Sequence, residues 1–125
     1  KRNKLMVFGN DYSTEDGTCI RDYIDVMDLA EAHIRSLEFI LDSKNDKNFE
    51  VINIGTGKGH SVLQIIEVFE KVTKKKLNYD IISRRQGDVP VSYADCSKAK
   101  QVLGWASKLT IEDSIASSWN WEKNN

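Results

Sequence analysis

The stretch Phe49-Glu50-Val51-Ile52-Asn53-Ile54-Gly55-Thr56-Gly57-Lys58-Gly59-His60-Ser61-Val62-Leu63-Gln64-Ile65-Ile66 sets the fold class. Residues Phe49 to Ile54 alternate and are rich in β-branched side chains, the pattern of a half-buried strand. Glycines 55, 57 and 59 then close a tight turn. Ser61 follows, with Gln64 at the third helical position, which predicts a capping box: the serine hydroxyl accepts from the Gln64 N–H while the glutamine reaches back. Val62, Ile65, Ile66, Phe69 and Val72 repeat at helical spacing. Lys74-Lys75-Lys76 ends the helix and suits the negative end of its dipole. A strand, a turn and a helix in succession predict an α/β unit.

The same grammar extends in both directions. Leu5 to Phe8 is a short apolar run, expected as a strand, that stops at Gly9-Asn10-Asp11. Residues Asn10 to Gly17 form a polar loop, and Tyr23, Ile24 and Val26 a second extended piece. A helix is expected from about Asp28, with Asp28 as cap and Glu31 reaching back. Its apolar stripe is Ala30, Ile34, Leu37 and Leu41, with His33 and Ile40 on the same side. Ser43 to Lys47 is a charged connection. Downstream, Leu77 to Ile82 reads as a strand and Ser83 to Pro90 as a loop. Ser97 is expected to cap a short helix that Gly104 stops. Thr110 and Asp113 begin the last helix, whose apolar side is Ile111, Ile115 and Trp119. Trp105, Trp119 and Trp121 are expected to pack that helix onto the domain. The expectation is one α/β (mixed α+β) domain over residues 1–125, with a small sheet and about four helices.

Composition bounds the function. The chain has 125 residues, 40% hydrophobic and 30% charged, ordinary globular values. Eighteen Lys plus Arg offset 19 Asp plus Glu, a formal charge of -1. No global basic field is present to hold nucleic acid or an anionic membrane. The basic start is followed by too few apolar residues for a signal peptide, and no run approaches the ~20 residues that span a bilayer. Cys19 and Cys96 make no disulfide framework and lack the spacing of a zinc site, which fits a reducing, cytoplasmic setting. The first residue is Lys1 rather than Met, which fits either further chain upstream or the removal of a tag.

Candidate chemistry concentrates in loops. The Gly55-x-Gly57-x-Gly59 turn has the wrong spacing for a dinucleotide fingerprint, because His60 stands where the third glycine belongs. It also fails as a Walker A loop, because Gly59 follows Lys58. It reads as a plain strand-to-helix turn. Arg84, Arg85 and Asp88 admit two readings. Paired guanidinium groups can clamp a diphosphate while the carboxylate accepts from a ribose diol; the same cluster could also be a solvated ion network. Arg21 alone reads as a solvated charge. His33 reads as a packed or rim residue and His60 as exposed, with no support for a histidine-based triad.

The segment Val7-Phe8-Gly9-Asn10-Asp11-Tyr12-Ser13-Thr14-Glu15-Asp16-Gly17-Thr18-Cys19-Ile20-Arg21-Asp22-Tyr23-Ile24 resembles the UDP-glucose 4-epimerases of the extended short-chain dehydrogenase/reductase family. Met27-Asp28-Leu29-Ala30, Asn53-Ile54-Gly55-Thr56-Gly57, Arg84-Arg85-Gln86-Gly87-Asp88-Val89, Tyr93-Ala94-Asp95 with Ser97-Lys98-Ala99, and Leu103-Gly104-Trp105 agree in order and spacing. The resemblance covers essentially the whole sequence and implies the C-terminal, UDP-sugar-binding part of such an enzyme. Family members interconvert UDP-glucose and UDP-galactose through a 4-keto sugar, with NAD carrying the hydride. The resemblance places NAD in an N-terminal Rossmann domain outside this sequence and implies a homodimer of the full-length protein.

Neither a Gly-x-x-Gly-x-x-Gly motif nor the family's Tyr-x-x-x-Lys is found: Tyr12, Tyr23, Tyr79 and Tyr93 are followed four residues later by Asp16, Met27, Ser83 and Ser97. The chain alone is therefore expected to be inert, with no catalytic, cofactor-binding or metal-binding residue. For the substrate, the resemblance implies Arg21 and Arg85 on the diphosphate and Asp88 on the ribose. Met6 and Phe8 would flank the uracil, and Ser92 would line the sugar pocket. Two departures stand out. Asp25 replaces the usual His and could weaken diphosphate binding or pair with a cation. Ser92 is small, which could leave room for an N-acetyl group unless the backbone shifts to fill it. The rival expectations are a related nucleotide-sugar epimerase or dehydratase, and a stand-alone nucleotide-sugar-binding module without chemistry.

Overall fold

The computed structural model describes residues 3–42 and 49–124. In chain order the elements are β1 (Leu5–Phe8), β2 (Ile20–Arg21), α1 (Val26–Leu41), β3 (His60–Ser61), α2 (Val62–Thr73), β4 (Tyr79–Ile82), β5 (Val91–Ser92), α3 (Ser97–Leu103) and α4 (Ile111–Asn124). The class is the expected mixture of helices and small sheets. β1 pairs in parallel with β4, with Phe8 opposite Ile82. β2 is the centre of a second sheet, antiparallel to β3 and parallel to β5, with Arg21 opposite both His60 and Ser92.

Local signals placed α2 and α4 correctly. Ser61 and Gln64 form the reciprocal capping box, with Ser61 N–H donating to the glutamine side chain at 2.9 Å. Thr110 and Asp113 do the same before α4. The two helices pack through an edge-on contact of Phe69 with Trp119, ring centroids 5.5 Å apart. A separate core joins α1 to α3 through Ala32, Ala99, Leu103 and Trp105, with Ile52 and Ile54 against it. Trp105 is thus a core residue between α1 and α3, not a fastener of α4. Trp121 lies exposed on α4.

Several expectations shift. The extended piece is Ile20–Arg21 rather than residues 23–26, and Val26 already lies in α1. Asp25, not Asp28, is the cap: its carboxylate accepts from Met27 N–H at 2.8 Å. Asp28 is only 3% exposed and accepts from the Lys108 and Leu109 N–H groups, both at 2.9 Å. A distant backbone thus claims the carboxylate that a local cap would have used. Ser97 does not cap α3; the cap position is Cys96, without a side-chain bond, while Asp95 accepts from Ser97 N–H. Gly104 ends α3 in the left-handed conformation, as expected.

Phe49 to Ile54 joins no sheet among the described residues, although its exposure alternates as a strand's would. Lys98 tethers it, pairing with Glu50 and donating to the Val51 carbonyl. The apolar stripe of α1 faces outward: Ile34, Leu37, Ile40 and Leu41 are 59–79% exposed. The Ser43 to Lys47 connection lies outside the described residues.

Candidate functional site

β1 and β4 run side by side and deliver their following loops to one place. Val7 is buried in β1, so the alternation of a strand puts Met6 and Phe8 together on its opposite face. After Phe8 the chain turns at Gly9, φ +81°, where a Cβ would lie 2.7 Å from the Tyr12 ring and 2.9 Å from the Arg84 side chain. The residues after β4 lie against this turn, and the adjacent arginines diverge there. Arg84 binds back to the first loop, Nε to Asp11 Oδ1 at 2.7 Å, with its guanidinium 4.2 Å from the centre of the Tyr12 ring. Arg85 lies over Phe8, 5.1 Å from that ring centre.

Arg85 Nη2 and Nε donate to Asp88 Oδ1 and Oδ2 at 3.0 and 3.2 Å. Arg21 approaches the same carboxylate from β2, Nη2 to Oδ1 at 3.6 Å. The second guanidinium of this cluster is therefore Arg21, not Arg84. Asp88 is a carboxylate held between two cations, and the hydrogen bond from Arg85, then the charges of Arg85 and Arg21, hold its pKa below the usual aspartate range. Arg85 remains largely open to solvent. Such a cluster can exchange one anion for another: an incoming phosphate can take the guanidinium groups while the carboxylate turns to a donor such as a hydroxyl.

Arg21 and Ser92 face each other across β2 and β5 and line an open cleft of about 400 Å³ with Asn53, Tyr93 and Asp95. Met6 lies about half exposed on β1, outside the residues that line this cleft. His60 is half-buried in β3 rather than exposed in the turn. His33 sits exposed on α1 with Nδ1 2.8 Å from the Leu29 carbonyl.

Asp22 and Asp16 were not anticipated from sequence. Asp22 accepts from Thr56 N–H at 2.9 Å, Thr56 hydroxyl at 2.6 Å, Gly57 N–H at 3.0 Å and Ala94 N–H at 3.2 Å. Burial acts to raise its pKa, but these hydrogen bonds outweigh burial and leave it lowered. The amides of the glycine turn thus point at a carboxylate of the same chain, which keeps a phosphate away. The turn also departs from the expected strand-to-helix form: residues 49–54 join no sheet among the described residues, and β3 intervenes before α2. Asp16 accepts from Thr18 N–H and hydroxyl and from the Ser61 hydroxyl, tying the first loop to the start of α2. An Asp two residues before a Thr is a local turn signal that could have flagged Asp16; nothing local flags Asp22. The Asp25 carboxylate is engaged as the α1 cap, accepting from Met27 N–H.

A family model described as GDP-mannose 4,6 dehydratase matches residues 1–118. The UDP-glucose 4-epimerase of Bacillus subtilis (strain 168) is 47% identical over 125 residues, all of this chain and 36% of that protein. The solved structure of UDP-glucose-4-epimerase from Stenotrophomonas maltophila, with bound NAD and formylated UDP-arabinopyranose, superposes with a TM-score of 0.92 at 41% identity, covering 98% of this chain and 36% of that one. The Bifidobacterium longum UDP-glucose 4-epimerase, in complex with NAD+ and UDP, gives 0.90 at 45% identity, covering 98% and 35%. The chain therefore spans about a third of the length of the relatives it matches.

Proposed function

This chain belongs to the GDP-mannose 4,6 dehydratase family, and on that premise we propose that it is the UDP-sugar-binding, C-terminal portion of a UDP-glucose 4-epimerase. The full-length protein would interconvert UDP-glucose and UDP-galactose. The observation that carries this reading is the convergence of Arg21, from β2, with Arg85 and Asp88, from the loop after β4, onto one cluster. Arg21 and Arg85 would neutralise the diphosphate with forked, charge-assisted hydrogen bonds. Asp88, released from the guanidinium groups, would accept from the ribose hydroxyls. Met6 and Phe8 would flank the uracil, and Ser92, beside Arg21, would border the sugar. A small residue there leaves room for an N-acetyl substituent at sugar C2.

The glycine turn of this chain does not suit the pyrophosphate of NAD: its Thr56 and Gly57 amides are bonded to Asp22, whose charge would repel a pyrophosphate. NAD, together with the proton-abstracting tyrosine, would belong to an N-terminal domain of the same protein, and this chain alone would be inert. The outward apolar stripe of α1 and the exposed Phe49 and Val51 side chains are surfaces that such a domain would cover. Both cysteines are free thiols, which suits a reducing, cytoplasmic compartment. The full-length protein would be a homodimer.

Calorimetric titration of the full-length protein with UDP tests the reading. UDP should bind, and Arg85→Ala should weaken it by about 10- to 100-fold, the loss of a charge-assisted pair of hydrogen bonds. Equal affinities of the two proteins would refute the assignment.

A further inference from the structure

Asp22 stands next to Arg21 in sequence, and its carboxylate gathers three segments that border one cleft. Asp22 itself follows β2, which presents Arg21. Thr56 and Gly57 belong to the glycine turn, which continues from Asn53 and Ile54 on the cleft wall. Ala94 follows β5, which presents Ser92. The packing at this junction leaves no slack. A Cβ at Gly55 would lie 2.5 Å from Asp22 Oδ2 and 2.8 Å from the Ala94 Cβ.

β2 and β5 are two-residue strands, too short for their ladder alone to fix the spacing of the side chains they carry. Without the carboxylate, the N–H groups of Thr56, Gly57 and Ala94 would lose a common acceptor and could separate. We propose that Asp22 is a positioning residue that sets the distance between Arg21 and the Ser92–Ala94 wall, and so the width of the cleft that receives the sugar diphosphate. This inference rests on the UDP-sugar reading above.

The test is a double-mutant cycle of Asp22→Asn and Arg21→Ala in the full-length protein, with UDP as the titrated probe. An asparagine keeps the shape but turns an N–H₂ group toward donors, so the cluster cannot be fully satisfied. Asp22→Asn should weaken UDP binding about tenfold when Arg21 is present and by less than about twofold when Arg21 is already alanine, because residues that act through one another are not additive. Thr56→Val removes the hydroxyl that donates to Asp22 and accepts from Lys58 N–H, and leaves the Thr56, Gly57 and Ala94 amides on the carboxylate; it should show the same non-additivity at about threefold and serves if Asp22→Asn fails to fold. Equal losses in both Arg21 backgrounds would mean that Asp22 only stabilises the fold, and would overturn the proposal while leaving the UDP-sugar reading intact. Failure of the unsubstituted protein to bind UDP would overturn that reading, and this inference with it.

Discussion

Replacing Asp28 with alanine removes a buried carboxylate that holds the backbone of a segment far away in sequence. Asp28 Oδ2 accepts from Lys108 and Leu109 N–H, both at 2.9 Å, just before α4 begins. A hydrogen bond to a charged group contributes about 1.5–3 kcal/mol. Both bonds share one oxygen, and Lys108 and Leu109 are exposed enough for water to replace it, so the lower value applies to each. The sum is about 3 kcal/mol, or about a hundredfold in a local opening equilibrium at about 1.4 kcal/mol per tenfold. Amide hydrogen exchange of the full-length protein, followed by mass spectrometry, reads this directly. Peptides covering residues 105–110 should exchange about a hundredfold faster in Asp28→Ala. Asp28→Asn keeps an acceptor but loses the charge, and should cost about 1 kcal/mol. Asp25→Ala, the true cap, should cost about 1 kcal/mol and act at the start of α1 instead. Unchanged exchange at 105–110 in Asp28→Ala, with faster exchange at the start of α1, would refute this account and restore Asp28 as the cap.

Other outcomes follow from the same geometry. If Ser92 leaves room at the sugar, the full-length protein should turn over UDP-GlcNAc and Ser92→Tyr should lose that activity while keeping UDP-glucose; no turnover by the unsubstituted protein would sink the idea. The Asp88 pKa is depressed in the folded state, so its contribution to stability is complete above the unfolded-state value and is lost as pH falls through the lower folded value. An NMR carboxyl titration should therefore place Asp88 below ordinary aspartates, and Arg85→Ala should move it back up. The 125-residue chain produced alone should self-associate through α1, and Leu37→Lys with Ile40→Lys should restore monomers in analytical ultracentrifugation; a monodisperse unsubstituted chain at high concentration would contradict this.

What could be read in advance divides along the range of the interaction. α2 and α4 were legible because cap and partner lie three residues apart and the apolar stripe follows from helical spacing. Arg85 and Asp88 were legible for the same reason: they pair within one loop. Asp28 misled because Glu31 offered a local capping box, while in the fold Glu31 receives Lys108 and Asp28 receives the backbone beside it. Phe49 to Ile54 misled because alternation specifies a half-buried extended chain and not a hydrogen-bonded neighbour.

The amino-acid sequence by itself determined the α/β class, the capped helices, the lack of a phosphate-binding spacing in the glycine turn, and the family resemblance that pointed to Arg21. Those properties depend on residue spacing and chain stereochemistry. Only the tertiary structure decided that Arg84 turns away to Asp11 while Arg21 joins Arg85 at Asp88, and that Asp22 gathers amides from both sides of a cleft. The physical reason is that a carboxylate or guanidinium group has no preferred partner until folding sets which donors and acceptors lie within about 3 Å of it.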